Sequence, residues 1–122
     1  MAKNVDAKRA AAWAGAMPAA VEEYPFGPQA AVFKVGDKMF ALVPNTEESV
    51  TVKVDPDDGA ALRSQFTAIS PGYHMNKRHW ITIDLGPDGQ SVPVEDLIEE
   101  SYDLVVASLS KAIRTRLGLL AD

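Results

Sequence analysis

The residues best equipped for polar chemistry lie in one segment, Pro71-Gly72-Tyr73-His74-Met75-Asn76-Lys77-Arg78-His79-Trp80-Ile81-Thr82-Ile83. It holds both histidines, one of the two tryptophans and an adjacent lysine–arginine pair. No acid occurs between Asp58 and Asp84, so the segment sits inside the longest acid-free run. Nucleic-acid binding needs positive charge to displace condensed counterions, and groups that reach phosphates or base edges. Lys77 and Arg78 supply the charge, His74 and His79 can add to it, and Asn76 brings an amide. Lys34, Lys38 and Lys53 would extend such a patch across a hairpin and a sheet. The plainer reading is a solvated loop.

His74 and His79 also raise the question of a metal. Their separation suits neither a helix face nor one face of a strand, and no cysteine supports them. Histidines packed against Tyr73 or Trp80 explain them better, and no metal site is expected. Asp55-Pro56-Asp57-Asp58-Gly59 superficially resembles a calcium loop, but the twelfth position from Asp55 is Phe66, not a glutamate. Helix capping accounts for it. Ser108-Leu109-Ser110-Lys111 has the serine-x-x-lysine spacing of some hydrolases without their companion motifs. No phosphate loop, dinucleotide fingerprint or nucleophile elbow is present. No catalytic residue is assigned, no cofactor is expected, and the chain does not read as an enzyme.

A second unusual segment is Tyr24-Pro25-Phe26-Gly27. Pro25 stiffens it and Gly27 permits a positive φ. The preferred expectation is that Phe26 is an aromatic plug at the core edge. The functional alternative makes Phe26 one wall of a groove, with Lys38 and Tyr73 opposite, Trp80 nearby and Tyr102 lending a hydroxyl. A Tyr102 bonded to a buried loop carbonyl is the plain alternative for that residue.

Composition bounds these readings. The chain has 122 residues, no cysteine and a net charge of -5. One domain spanning residues 1–122 is expected. The acidity argues against broad attraction to nucleic acid or anionic membrane, while leaving room for a local basic patch. No apolar run approaches the roughly 20 residues of a membrane helix. Lys3, Lys8 and Arg9 precede an alanine-rich amphipathic stretch and not a signal-peptide apolar region. Together with the lack of cysteine, this predicts a cytoplasmic protein. Charge is sorted along the chain: Arg63, Lys77 and Arg78 alone between Gly59 and Ile83, then only acids from Asp84 to Ser110, then Lys111, Arg114 and Arg116. The last two blocks suit the dipole of a terminal helix.

The elements that must position these residues follow from periodicity and punctuation. Residues 4–17 read as a helix capped by Asn4, with Ala10, Trp13, Ala14 and Met17 on one stripe. Residues 21–28 read as a loop. Ala30–Val35 and Lys38–Val43 flank Gly36-Asp37, a two-residue hairpin signal. Val50–Val54 alternates as a half-buried strand. Asp55-Pro56 starts a short helix. A brief strand near Tyr73 and a clear one at Trp80–Leu85 follow, and Pro93 opens the final helix. The order is α-β-β-β-α-β-β-α: an α+β two-layer fold, its antiparallel sheet covered by helices on one side. Phe33, Val50, Val52, Val54, Ile81 and Ile83 would face the helices. Val32, Lys34, Thr51, Lys53, Trp80, Thr82 and Asp84 would face away, as a solvated face or a contact surface.

Four segments in order are similar to the MmcQ/YjbR family of small bacterial proteins: Tyr24-Pro25-Phe26-Gly27, Val32 through Phe40, Pro71 through Ile81, and Ser101-Tyr102-Asp103-Leu104-Val105. The resemblance covers nearly the whole chain. It implies a two-layer fold like that of type III secretion chaperones, also likened to a double-wing DNA-binding domain, and it implies DNA as the partner. We therefore expect a non-enzymatic binding protein with DNA as the family-implied ligand. The alternative is a protein-interaction or small-ligand module using the outer sheet face or the Phe26 groove. A monomer is expected, with a homodimer through the face around Trp80 as the alternative.

Overall fold

The computed structural model describes residues 5–72 and 75–119. The chain runs α1 (Ala7–Gly15), β1 (Val21–Glu23), β2 (Ala30–Val35), β3 (Lys38–Pro44), β4 (Ser49–Lys53), α2 (Pro56–Gln65), β5 (Ile69–Pro71), β6 (Trp80–Asp84), a short 3-10 helix (Pro87–Ser91), α3 (Val94–Ser108) and α4 (Lys111–Arg116). The strands form one antiparallel sheet in the order β1-β2-β3-β4-β6-β5. The α+β class and the one-sided helical layer agree with the sequence reading. Among the described residues, no helix is long and apolar enough to cross a membrane.

Alternation in the strands selects the core. Phe33, Val50, Val52, Val54, Ile81 and Ile83 are all buried against the helices, as the pattern predicts. Ala7, Ala10 and Ala14 of α1, and Leu97, Ile98 and Val105 of α3, meet them in the same core. Each large apolar side chain fully buried there contributes about 1.5–3 kcal/mol. Trp13 is only half-buried: it packs on the core rim, with the Arg9 guanidinium 5.9 Å from its ring centroid.

Local chemistry explains the element boundaries. The cap of α1 is Asp6, whose carboxylate accepts from the Arg9 amide, and Asn4 lies outside the described residues. Asp55 caps α2 by accepting from the Asp57 amide, with Pro56 in the first turn, so the capping reading holds. Gly36 and Asp37 both adopt positive φ, 57° and 68°, as a two-residue hairpin of the primed type requires. Gly36 is further constrained because Leu109 and Ile113 pack onto it.

Three boundaries differ from the sequence reading. Val21–Glu23 is a strand, not loop: it pairs along the edge of β2, where Lys34 bonds to Glu23 at 3.0 Å. Three residues facing solvent carry no alternation signal, and a charged side chain suits an edge. The brief fifth strand is Ile69–Pro71, just before Tyr73. The terminal helix is two helices. Leu109 turns extended and buries its side chain over the Gly36 turn, and Ser110 caps α4 by accepting from the Ile113 amide.

A β-bulge shapes the sheet centre. Phe33 pairs with Ala41 and Lys34 with Met39, so Phe40 is the extra residue on β3. Its ring turns into the core and meets Tyr102 edge-on, with centroids 5.3 Å apart. The bulge leaves backbone groups for a side chain to satisfy. The fully buried Ser101 hydroxyl donates to the Phe40 carbonyl at 2.6 Å and accepts from the Lys53 amide at 2.8 Å. One hydroxyl thus ties α3 to both β3 and β4.

Candidate functional site

The face of the sheet turned away from the helices carries the candidate site. Register places Glu23, Val32, Leu42, Thr51, Thr82 and Ser70 in one row across all six strands. The middle of this row is not open to water: Val32 is 1% exposed and Thr51 5%. Thr51 and Thr82 join their hydroxyls at 2.9 Å. Over this row lies a groove of about 420 Å³, lined by Phe26, Leu42, Pro44, Thr51, Met75 and Thr82, with Glu47 and Ser49 at one end.

Two loops bring Phe26 and Met75 to this groove. In the first, the Gly27 amide donates to the Tyr24 carbonyl at 3.1 Å, closing a turn with Pro25 at its second position. Gly27 takes φ 95°, so a non-glycine residue there would be strained. Asn45 clips the loop to the sheet, its amide donating to the Gln29 carbonyl at 2.8 Å and its side chain to the Pro28 carbonyl. Phe26 is 70% exposed. The preferred expectation, a core plug, is therefore wrong: the turn holds the ring outside the core, against the opposite face of the sheet. Tyr24 is also exposed and donates to Glu22, and this bond, more than burial, raises its phenol above the ordinary 10.0.

The second loop leaves β5 at Gly72, whose amide donates to the Trp80 carbonyl at 2.8 Å. Met75 follows into the groove. Asn76 then folds the chain: its side-chain oxygen accepts from the Arg78 amide at 3.0 Å and its carbonyl from the His79 amide at 3.1 Å. That turn leaves Lys77 and Arg78 exposed, two and three residues beyond Met75. Tyr73 and His74 lie outside the described residues.

The remaining candidates divide between two layers. Lys53 is the Cα partner of Trp80, and both are half-buried; contrary to the expectation that it extends the outer-face patch, Lys53 lines a cleft on the helical side. Lys34 belongs to the outer face, but Glu23 takes its charge. Lys38, Trp80 and Tyr102 are not walls of the Phe26 groove. Lys38 Nζ donates to Ser108 on α3 at 3.3 Å, which places it in the helical layer. The Tyr102 hydroxyl donates to the Pro18 carbonyl, behind the sheet. Burial first, then the neighbouring Asp103 carboxylate, raises its phenol above 10.0. Tyr102 thus serves a loop carbonyl, as in the plain alternative for it, though Pro18 itself is exposed and not buried. Ser108 and Ser110 are occupied by the Val105 carbonyl and the Ile113 amide. Leu42 and Met75 were not singled out by sequence; alternation along β3 was the signal that could have found Leu42.

Comparison with known proteins agrees with this architecture. The YjbR family model matches residues 15–104. The uncharacterized protein YbdF of Escherichia coli O157:H7 is 38% identical over 95 residues, 76% of this chain and 78% of that one. The uncharacterized protein YjbR of Escherichia coli K12 is 34% identical over 91 residues, 70% of this chain and 75% of that one. The crystal structure of Deinococcus radiodurans DR2400, with its DUF419 domain, superposes with a TM-score of 0.83 at 35% identity, covering 93% of this chain and 88% of that one. A Pseudomonas syringae protein superposes at 0.64 with 29% identity, covering 77% and 93%. With its Phe26 turn, bulged hairpin, basic loop and Ser101-Tyr102 anchor all inside the matched region, the chain belongs to the YjbR family.

Proposed function

We propose that the protein is a non-catalytic binding protein whose ligand lies in the outer-face groove, its apolar part between Phe26 and Met75 and an anionic group toward Lys77 and Arg78. One observation carries this reading. Two loops far apart in sequence, each stiffened by its own turn, bring apolar side chains to a single groove on the sheet. A turn that holds a phenylalanine ring largely in water favours any partner that covers it. Lys77 and Arg78, exposed two and three residues beyond Met75, would select negative charge at that loop, away from Glu47, and the paired threonine hydroxyls give the floor a polar point.

The test is a fluorescence titration with 8-anilinonaphthalene-1-sulfonate, an anionic aromatic probe, on the folded protein. Saturable binding is expected, weakened about tenfold by Phe26→Ala or Met75→Ala, each removing apolar contact worth about 1.4 kcal/mol. Lys77→Ala with Arg78→Ala should weaken it and flatten its salt dependence. Unchanged affinity in all three variants would refute the assignment.

Exposure of Lys77 and Arg78 also favours a second reading, DNA binding. It requires steep loss of affinity with salt, a slope of about −2 for two phosphate contacts. The Lys34–Glu23 ion pair and the acids Glu47 and Asp84 break up a continuous positive stripe, so duplex DNA ranks below the groove ligand. Anisotropy with a fluorescent duplex at low salt decides between them: binding abolished by the Lys77/Arg78 double variant but insensitive to Phe26→Ala favours DNA.

A further inference from the structure

A cleft on the helical side of the molecule lies between the start of α2 and the outer stripe of α3. Its floor is apolar: Val54 below, Leu62 from α2, and Leu97 and Leu104 from α3. Leu104 is 38% exposed, on a helix whose outward face is mostly acidic up to Asp103. The cleft holds about 280 Å³, just below the roughly 300–1,000 Å³ of drug-sized ligand pockets, so it suits only a small ligand.

Its rim has one predominant sign of charge. Asp55 and Asp58 stand on the α2 side and Glu100 and Asp103 on α3, against a single lysine, Lys53. Asp55 is committed to its cap, accepting from the Asp57 amide. Asp58, Glu100 and Asp103 form no ion pair among the described residues. Arg63, the other nearby cation, brings its Nη1 against Gly59 and does not line the cleft. Carboxylates around an apolar floor repel phosphates and carboxylates and attract a cation, more strongly where apolar walls exclude water. They are spread around the rim: among the described residues, no group of three acids or histidines is placed to hold a metal ion. A point cation would also leave the apolar floor unused.

We infer that this cleft is a second binding site, for a small organic ammonium ion with an apolar body: the body on Val54, Leu62 and Leu104, the ammonium between Asp58 and the Glu100–Asp103 pair. It is independent of the outer-face groove, which lies across the sheet and shares none of its lining residues.

The experiment is an amide NMR titration of the whole chain with 2-phenylethylammonium, its neutral analogue 2-phenylethanol, and phenylacetate. The amine should shift the amides of Leu62, Glu100 and Leu104 and bind about tenfold more tightly than the alcohol, as expected for a charge facing two or three carboxylates. Phenylacetate should not bind there. Leu104→Asn should abolish the shifts. Asp58→Asn with Asp103→Asn should erase the preference for amine over alcohol while leaving alcohol binding intact. Phe26→Ala should change nothing at this cleft, which separates this site from the groove. Equal affinity for amine and alcohol, shifts produced as well by calcium, or no shifts at these amides at millimolar amine would each overturn the inference.

Discussion

Ser101→Ala is the sharpest test of how this fold positions its outer face. The substitution removes one oxygen from a site that is 0% exposed. It strands the Phe40 carbonyl and the Lys53 amide, bonded to that hydroxyl at 2.6 and 2.8 Å. Each buried backbone group left without a partner costs about 1–3 kcal/mol. Burying the hydroxyl itself carries a desolvation cost of about 1–3 kcal/mol, which the variant recovers. The net loss should be about 2–3 kcal/mol, a large fraction of the roughly 5–15 kcal/mol that holds a typical domain folded. Urea unfolding measures it, as a lower midpoint with an unchanged slope. The Lys53 amide should also exchange with solvent much faster. Ser108→Ala is the control: its hydroxyl bonds the Val105 carbonyl within its own helix and accepts only an exposed bond from Lys38, so its loss should stay within about 0.5 kcal/mol. A Ser101→Ala protein as stable as Ser108→Ala would show that the bulge is satisfied some other way.

Phe26→Ala should be cheap. With 70% of the residue exposed, only about 60 Å² of a ring of roughly 200 Å² is buried, worth about 1.5 kcal/mol rather than the 3–5 of a core ring. A urea melt showing the larger loss would return Phe26 to the core. Gly72→Ala should cost about 1–3 kcal/mol by thermal melt, because a Cβ there would stand 2.5 Å from Trp80 Cβ and 3.1 Å from its backbone. Tyr102 predicts the alkaline limb of stability. Its folded pKa is raised above 10.0, so the folded state holds the phenolic proton more tightly than the unfolded chain. That contribution is complete below pH 10 and is lost as pH rises through the raised value. Tyr102→Phe should lower stability by about 1 kcal/mol at neutral pH, through the lost bond to Pro18, yet flatten its decline above pH 10 in chemical melts followed at stepped pH.

Much of the fold was legible because it rests on local chemistry. Alternation in Val50–Val54 and Trp80–Leu85 assigns residues to sheet faces by a period of two, which no tertiary contact can change without flipping every side chain. Gly36-Asp37 and Asp55-Pro56 are turn and cap chemistry readable from neighbours alone. What escaped depends on contacts between distant segments. Val21–Glu23 is a strand only because β2 offers it an edge, and α3 breaks at Leu109 only because Gly36 leaves room for that side chain. The site divides the same way. The unusual character of the Phe26 and Lys77–Arg78 loops shows in their composition. That Phe26 and Met75 share one groove, while Lys38 and Tyr102 lie behind the sheet, follows from strand order and a bulge. Those set which side of a thin sheet a side chain reaches, and residue types alone carry no record of that choice.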